Sequence, residues 1–539
     1  MYKIFRSRSP DKHLQDELTS MARKRLTTAF RPLAVGILAL AIYLPSVNGE
    51  FVSWDDDIYI QRNTMIKNSS LSGLLNILNP FERPYLNKYA AMEDYTFEYF
   101  PVRDIFIWFQ YWIFGENPLG FHAFSVGIHV LNTLFVYWSI LKLTGLELTA
   151  LGVGAIFAVH PVNVEAVSWI SAQKDILSTM FFLICFLSFM YNYYFLSFIL
   201  FVFSLLSKPS IAFAIIPMGL YMALFFKDKR LGSYVYKFLP LIVLILAFFG
   251  LLRSHLLKDL SMFEIFPLKL ISFLQGLVSI RISIGNIFFP FHLKVIHNIP
   301  YNAQSLIVSF IVCVCLILTI ILTINKASIV SFGLLWFVTT LLPLFFIYKG
   351  MAMSDKYLYL PSVGFLLSII WPLSRRDFKG KTHIFFVVLL CLSILSVKRE
   401  YIWKDSLTLW LQALEETPES WLVHHKLGTI FTEEGKMGMA IQEYEKATSI
   451  FPTALPSLRN LGAIMVREKR YDKAIEIFEK AVKAHPEYPE IHRFLGVLYL
   501  KITHDKNEAI YHLRRSLELD PHQDGADVLR KAIKGYTPD

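Results

Sequence analysis

The sequence predicts an all-α protein in which a polytopic membrane domain of about 11 spans is followed by an α-solenoid. Its 539 residues are 54% apolar and only 18% charged, and their mean hydropathy of +0.45 is too high for a soluble chain of several domains. The aromatic content of 15% excludes a disordered chain, because such a sequence buries enough surface to offset the entropy of ordering. After residue 400 the composition becomes polar and a 34-residue period begins, which is typical of helical repeats.

The net charge of +10 does not indicate a nucleic-acid partner. Lys and Arg cluster beside apolar segments, where they commonly orient a chain in the bilayer. Residues 1–31 carry eight Lys or Arg against three acidic residues and precede the apolar stretch 33–47. Because no small-residue cleavage pattern follows, we predict a cytoplasmic tail over 1–31 and an uncleaved first span. The large loop 48–120 is then predicted to lie outside.

Ten further apolar stretches complete the predicted membrane domain, 32–398. They run 121–142, 149–167, 175–193, 195–208, 210–226, 236–252, 303–324, 328–348, 357–373 and 383–397. The segment 268–291 is long enough to span but has Arg281 near its centre. If it does not cross, the strongest basic loop, 375–381, is cytoplasmic, as the positive-inside rule favours. We therefore expect eleven spans, a segment 268–291 at the outer interface, and a C-terminal region outside.

Residues 399–539 carry the tetratricopeptide pattern. Leu-Gly pairs recur every 34 residues, at 427–428, 461–462 and 495–496, and small residues at such positions let paired helices approach closely. The third copy continues one residue late, which predicts an insertion near 504–506. His424 and His425 fall in the first helix of a repeat, where we expect them on the surface. Such an array indicates protein binding and does not by itself indicate chemistry.

The first outer loop holds the candidates for a general base. Asp55, Asp56 and Asp57 are consecutive, follow Trp54 and come soon after the first span. A carboxylate at the membrane face can take a proton from a hydroxyl nucleophile within hydrogen-bond reach. The alternative is a solvated loop that caps a helix.

Four cations are predicted to face the same side as the acidic loop. Lys174, Lys208 and Lys356 all lie on the outer face, where the positive-inside rule disfavours them, and Arg103 closes the loop. Together they predict a pocket for a lipid-linked phosphate, because cations stabilise charge on a leaving group. The structural alternatives are snorkelling, which explains one such lysine, and pairing of Arg103 with a lipid phosphate.

Further ionisable residues lie within or beside apolar stretches, where they usually face a cavity. They are His160, Glu165 and Asp175, predicted to orient donor or acceptor. No metal site is predicted, because the four cysteines sit inside apolar runs and the two-histidine spacing of zinc proteases is missing. No cofactor is expected, and the sequence gives a divalent metal no support.

Five motifs and the repeats, in this order, resemble the transmembrane and tetratricopeptide-repeat proteins of the GT-C glycosyltransferase superfamily. The motifs are FVSWDD (51–56), YFPVR (99–103), HPVNVEAVSWISAQKDIL (160–177), LLSKP (205–209) and SDKYLYLPSVG (354–364). The resemblance covers nearly the whole chain. It implies a multispan enzyme that takes a sugar from a polyprenyl-phosphate carrier on the lumenal or periplasmic face, and characterised eukaryotic relatives are protein O-mannosyltransferases.

The family's motifs map onto this chain residue by residue, with two departures. The resemblance implies that its acidic pair is Asp55 and Asp56, its His-Pro-Val and Glu are residues 160–162 and 165, and its Lys-Asp is 174–175. Gln173 stands where relatives commonly have Arg, and Lys356 stands where they have the Arg of Asp-Arg-Tyr. Lysine keeps the charge but loses the bidentate fork, and glutamine loses the charge. The identity of the donor is therefore not carried over.

The resulting hypothesis is an inverting glycosyltransferase that moves a sugar, a hexose such as mannose, to a protein hydroxyl. We expect a multi-pass protein of a bacterial inner membrane with its active site and repeats in the periplasm, or of the endoplasmic reticulum with both in the lumen. The repeats would hold a protein or peptide acceptor. The alternative is a non-catalytic, membrane-anchored scaffold whose repeats gather partner proteins. A transporter is disfavoured, because no matching pairs of broken helices suggest two repeated membrane halves.

Overall fold

The computed structural model describes seven stretches of the chain, and their regular structure is helical. The stretches are 30–68, 70–79, 99–225, 231–256, 270–297, 302–345 and 353–535. Within them no strand forms beyond one isolated bridge between His297 and Met353. The predicted all-α class is therefore confirmed. Of the predicted cytoplasmic tail, residues 1–29 lie outside the described residues, as does the part 80–98 of the outer loop.

The described residues form two compact units, the first ending at Asp405 and the second beginning at Ser406. The helices of the first unit are α1 (Phe30–Asn48), α2 (Thr64–Lys67), α3 (Leu71–Leu78), α4 (Pro101–Phe114), α5 (Pro118–Thr144), α6 (Glu147–Val159), α7 (Val164–Ser168), α8 (Gln173–Met190), α9 (Tyr194–Ser207), α10 (Ile215–Phe225), α11 (Leu231–Leu256), α12 (Leu270–Phe288), α13 (Ala303–Thr323), α14 (Ser328–Thr340), α15 (Tyr359–Arg375) and α16 (Lys381–Ile402).

Each predicted span coincides with an apolar helix or helix pair of the first unit. Within the stretches described above, six helices are long and apolar enough to cross a membrane, and the bent pair α6 and α7 makes a seventh candidate. The other predicted spans correspond to the shorter apolar helices α9, α10 and α14 and to the apolar part Lys237–Gly250 of α11. The chain is a multi-pass membrane protein, and the number of its spans stays a prediction.

Within the segment 268–291, residues 270–288 form α12, which packs against α13. The guanidinium of Arg281 donates hydrogen bonds to the hydroxyls of Ser305 at 3.0 Å and Ser309 at 2.9 Å, in the first two turns of α13. Hydroxyl partners lower the cost of a cation within an apolar helix. This explains how an arginine is accommodated in the middle of that segment.

A break between α6 and α7 brings irregular backbone into the interior of the unit. Helix α6 ends at Val159, Pro161 opens a single 3-10 turn, and α7 leaves at 55° to α6. Proline fits a first turn because its missing N–H needs no partner there. A second short turn, Ile170–Ala172, leads into α8. All residues from 152 to 179 are buried, which is the condition for irregular backbone at membrane depth.

The second unit is a stack of paired helices. Its helices are α17 (Ser406–Glu416), α18 (Trp421–Glu433), α19 (Met437–Ile450), α20 (Leu455–Arg467), α21 (Tyr471–Ala484), α22 (Pro489–Leu498), α23 (Lys506–Leu519) and α24 (Ala526–Lys534). The repeated glycines lie where paired helices meet. A Cβ added to Gly428, Gly462 or Gly496 would lie 2.8 Å or less from the facing Tyr444, Phe478 or Leu513. Close packing within each pair therefore requires glycine.

The insertion in the third repeat lies slightly earlier than predicted. The turn inside each helix pair has one residue with left-handed backbone, at Gly435, Lys469 and His504. The last of these comes one residue late, after the π-helical turn Tyr499–Thr503. A π turn holds one more residue than an α turn, so it absorbs the insertion without disturbing the pairing of α22 with α23.

The expectation that His424 and His425 lie on the surface is wrong. They are 5% and 7% exposed, because this stretch of α18 faces the neighbouring helices. The Nδ1 atom of His424 lies 2.6 Å from the Glu443 carboxylate of α19. His492 holds the equivalent place in the third repeat, where its Nδ1 lies 2.8 Å from the Nδ1 of His512.

Candidate active site

Asp56 is a buried carboxylate that ties the first outer loop to the turn before α8. Its Oδ1 accepts hydrogen bonds from the backbone N–H and the hydroxyl of Ser171, at 2.9 and 2.5 Å, and its Oδ2 accepts one from the Val52 N–H at 3.0 Å. Burial raises the pKa of Asp56 to about 7, although these hydrogen bonds act to lower it. The carboxylate is completely buried, so it faces the protein interior.

Asp55 and Asp57, unlike Asp56, are only half-buried. The backbone carbonyl of Asp55 accepts hydrogen bonds that open the turn Asp57–Gln61. The side chain of Asp57 contacts Arg62 at 3.7 Å. Asp55 is therefore the member of the predicted acidic pair that reaches the surface of the site.

Arg103 and Lys174 share one pair of aromatic rings. The Arg103 guanidinium lies 4.6 Å from the ring centroid of Tyr59 and 4.8 Å from that of Phe100. The Lys174 ammonium lies 4.9 Å from the Phe100 ring and 5.8 Å from the Tyr59 ring. Arg103 also forms an ion pair with Asp104 at 2.7 Å. Because ring faces attract cations, two positive charges from different helices are held side by side.

Lys208 follows α9 and forms an ion pair with Asp175 of α8. The Lys208 ammonium lies 4.9 Å from the ring centroid of Tyr357, and the Lys356 ammonium lies 5.6 Å from the same ring. Lys174 directly precedes Asp175, the ion-pair partner of Lys208. The structure thus brings together the three lysines that the sequence assigned to a phosphate pocket.

Lys356 connects this cluster to the acidic loop. Its ammonium lies 3.7 Å from the ring centroid of Trp169 and 3.8 Å from a carboxylate oxygen of Glu165. Trp169 packs against Trp54 at 5.8 Å between ring centroids. Trp54 directly precedes Asp55 in the chain, so the aromatic rings around Lys356 include the residue next to the predicted acidic pair.

Glu165 and Asp355 fix the backbone that carries Lys356. Glu165 accepts a hydrogen bond from the Ser354 hydroxyl, and another from the Asp355 N–H at 2.9 Å. The Asp355 carboxylate in turn contacts His297 at 2.8 Å and Arg399 at 3.1 Å. Burial acts to lower the pKa of His297, but the charge and hydrogen bond of Asp355 outweigh it, and the pKa is raised.

His160 uses both ring nitrogens within the fold. Its Nδ1 accepts a hydrogen bond from the Val162 N–H at 3.2 Å, and its Nε2 lies 2.9 Å from the carbonyl oxygen of Ile287 in α12. The side chain is 1% exposed. His160 therefore joins the helix break to α12, and the predicted role of orienting substrate would be indirect.

Gln173 points away from the cations. Its amide exchanges hydrogen bonds with Gln110 of α4 at 2.9 and 3.0 Å, and it donates to the Ser125 hydroxyl of α5 at 3.0 Å. The amide is completely buried among these helices. This departure from the family pattern therefore concerns helix packing.

Cations beside aromatic rings and one accessible carboxylate make up the chemistry of the site. Such cations suit a phosphate, and such a carboxylate can accept a proton from a hydroxyl. Among the residues that the structure describes, no group of three or more His, Cys, Asp or Glu side chains is arranged to hold a metal.

Comparison with known proteins places the chain among named relatives. Two family models, each described as tetratricopeptide repeat, match residues 423–453 and 455–498. A Caenorhabditis elegans protein named protein O-mannosyl-transferase is 24% identical over 77% of this chain and 62% of its own length. Protein O-mannosyl-transferase TMTC1 of Mus musculus is 42% identical over 14% of this chain and 8% of its own length. The yeast Tom70 crystal structure covers 77% of this chain and 96% of its own, at 13% identity and a TM-score of 0.24.

The resemblance to transmembrane and tetratricopeptide-repeat proteins is therefore confirmed. The chain spans 62% of the length of its Caenorhabditis elegans relative, so the activity of that whole protein reaches this chain only as a proposal. Both relatives are named for the transfer of mannose to proteins, which agrees in kind with a site of cations and a half-buried carboxylate residue.

Sequence reasoning missed several residues that build the site. Ser171 holds Asp56, Trp403 stacks on Trp169 at 5.8 Å, and Arg399 holds Asp355. A serine or a tryptophan gives no distinctive signal within its own segment. Arg399 could have been noticed, because a charged residue at the end of an apolar span is costly unless it has a buried partner.

Proposed function

We propose that this chain transfers a sugar, a hexose such as mannose, from a polyprenyl-phosphate carrier to a protein hydroxyl. The observation that carries the proposal is the gathering of the four predicted cations on aromatic rings, one of which packs against Trp54, the neighbour of Asp55. The names of the relatives support the reaction class. On this proposal the chain is an inverting GT-C glycosyltransferase of a bacterial inner membrane or of the endoplasmic reticulum, with its site and repeats on the non-cytoplasmic face.

The reaction needs one base and several cations. Asp55 accepts the proton of the acceptor hydroxyl while the oxygen of that hydroxyl attacks the anomeric carbon of the donor sugar. The bond from that carbon to the phosphate oxygen breaks, and the electron pair leaves with the polyprenyl phosphate. Lys174, Lys208, Lys356 and Arg103 stabilise this anion, so no acid is needed. A single displacement inverts the configuration at the anomeric carbon.

The remaining predicted residues position these groups. Asp56 fixes the turn from which Asp55 projects, and Asp175 holds Lys208. Glu165 holds the backbone before Lys356. A carboxylate that is buried and already hydrogen-bonded orients its neighbours more effectively than it exchanges protons.

The test is sugar transfer by the purified full-length chain in lipid nanodiscs. Polyprenyl-phosphate [³H]mannose and a protein extract from the same cells would be supplied, and labelled protein measured. Asp55→Asn should abolish transfer, because an amide cannot accept the proton, while Asp57→Asn serves as the matched control. Equal transfer by the Asp55→Asn and Asp57→Asn proteins would exclude Asp55 as the base.

The repeats are proposed to present the acceptor. Stacked repeats of this kind form a surface that commonly holds an extended peptide or a helix. Deletion of 419–539 should leave donor binding intact while transfer to a protein acceptor falls sharply, through a higher KM for the acceptor. Equal acceptor kinetics for the two proteins would favour recruitment of an unrelated partner.

The alternative function is a membrane-anchored scaffold, and the repeats are the observation that favours it. A scaffold would bind partner proteins through residues 406–535 and would transfer no sugar. Absence of transfer from every polyprenyl-phosphate hexose supplied, by protein that still binds partners, would decide for the scaffold.

A further inference from the structure

We propose that Arg399 is a positioning residue that holds Lys356 in place by fixing the carboxylate of Asp355. The role of Lys356 in binding phosphate rests on the proposed function. The position of its ammonium can be measured independently of that function.

Arg399 lies in the last turn of α16, the last helix of the first unit, and is 4% exposed. Its guanidinium donates to the carbonyl oxygens of Leu293 at 2.8 Å and Lys294 at 2.7 Å, and to the Asp355 carboxylate at 3.1 Å. A cation is favourable in the last turn of a helix, where backbone carbonyls are unpaired. One side chain thus links α16, the loop after α12 and the start of α15.

Asp355 is held from several sides at once. Its Oδ1 accepts hydrogen bonds from the Asn286 amide at 3.1 Å and from His297 at 2.8 Å, and Arg399 contacts its Oδ2. Its backbone N–H donates to Glu165 at 2.9 Å. The residue directly before Lys356 is therefore clamped between Glu165 on α7 and Arg399 on α16.

Loss of the guanidinium would release one side of this clamp. The carboxylate of Asp355 would keep a buried charge with less compensation, and the carbonyls of Leu293 and Lys294 would lose their donors. The backbone can relieve both costs by moving toward water. The ammonium of Lys356, which is next in the chain, would then leave its place above Trp169.

The experiment measures how fast an acylating reagent modifies Lys356, by mass spectrometry of intact full-length protein in nanodiscs. The Lys356 side chain is 9% exposed and should react slowly in the unaltered protein. Arg399→Gln should speed its modification about tenfold, the factor that corresponds to one lost hydrogen bond to a charged group. Arg399→Lys, which keeps the charge but cannot reach all three acceptors, should give a smaller increase. Lys398→Ala, at the exposed neighbouring position, is the matched control and should change nothing.

Two results would overturn the proposal. One is an unchanged rate of Lys356 modification in Arg399→Gln. The other is an equal acceleration of modification at all lysines of the Arg399→Lys protein, because that pattern reports general loosening of the fold.

Binding of polyprenyl phosphate then separates this proposal from the proposed function. Arg399→Gln should weaken binding about 10- to 100-fold, and the loss should vanish in a Lys356→Ala background, since both changes remove the same contact. Faster modification of Lys356 with unchanged phosphate binding would support the clamp and refute the donor role of Lys356. Additive losses in the double variant would refute action through Lys356.

Discussion

Replacement of Asp56 by asparagine should alter stability in a pH-dependent way, whereas replacement of Asp55 should alter only the reaction. The Asp56 carboxylate accepts three hydrogen bonds, from Ser171 and Val52, in a completely buried position. An asparagine keeps one acceptor oxygen for Ser171 but turns an NH₂ group toward the Val52 N–H. Two buried donors then face each other, at a cost of about 1–3 kcal/mol.

The raised pKa of Asp56 sets the direction of the pH effect. Burial raises this pKa from 3.8 to about 7. At 1.36 kcal/mol per pKa unit, this difference corresponds to about 4 kcal/mol of folding stability. Because the folded pKa is the higher one, this stability is fully present below pH 4 and is lost as the pH rises through 7. Asparagine does not titrate, so Asp56→Asn should be less stable than the unaltered protein at pH 5 and should equal or exceed its stability at pH 9.

Thermal unfolding of the detergent-solubilised protein between pH 5 and pH 9 measures this difference. Asp57→Asn, at the adjacent half-buried position, is the matched control. Asp55→Asn should melt normally while its kcat falls by about 10²- to 10⁴-fold, the usual contribution of a general base. A constant stability difference for Asp56→Asn from pH 5 to pH 9 would refute the reasoning about its pKa. Full activity of Asp55→Asn, together with a folded but inactive Asp56→Asn, would refute the division of roles.

Three further predictions concern other buried polar groups. Lys208→Met should lower stability by about 3–5 kcal/mol, because it leaves Asp175 as an unpaired buried charge, and adding Asp175→Asn should restore the melting temperature without restoring polyprenyl-phosphate binding. Gln173→Arg should lower the melting temperature and leave donor affinity unimproved in a binding titration, since the buried amide contacts two helices. The protection factors of the α22 amides, measured by hydrogen exchange and corrected for the intrinsic pH dependence of exchange, should fall as the pH falls from 7 to 4. Burial lowers the pKa of both His492 and His512, so the unfolded repeat binds protons that the folded one excludes. The double variant His492→Leu with His512→Ile should remove that pH dependence, because the middle repeat has Leu458 and Ile477 at the equivalent positions.

Features that repeat or that incur a physical cost could be predicted from the sequence. The tetratricopeptide units follow from one spacing observed at many positions, and the apolar helices follow from hydropathy. Lys174, Lys208 and Lys356 could be grouped because each lies on the face where lysine is disfavoured, so each needs a reason to be there. The structure gives them neighbouring places against Asp175, Glu165 and aromatic rings.

Contacts between distant segments could not be predicted in this way. Ser171 meets Asp56 across 115 positions and Arg399 meets Asp355 across 44, and neither pair has a spacing that a helix or a strand would produce. The burial of Asp55 and Asp56, although they are adjacent, could not be predicted from the sequence either. Asp55 and Asp56 are chemically identical neighbours, and only the packing of the turn Ile170–Ala172 decides which carboxylate is buried.

Gln173 shows how a difference from a family pattern can be misjudged when it is considered along the sequence alone. It directly precedes Lys174, so the loss of an arginine there suggests a weaker phosphate site. Consecutive residues on a helix point about 100° apart, however, and α8 directs Lys174 toward the ring of Phe100 and Gln173 toward Gln110. A guanidinium in that second direction would be buried between α4 and α5 and would need an acidic or carbonyl partner there. The presence of glutamine at position 173 therefore concerns the packing of these helices. Evidence about the donor must instead come from variants of Lys174, Lys208 and Lys356.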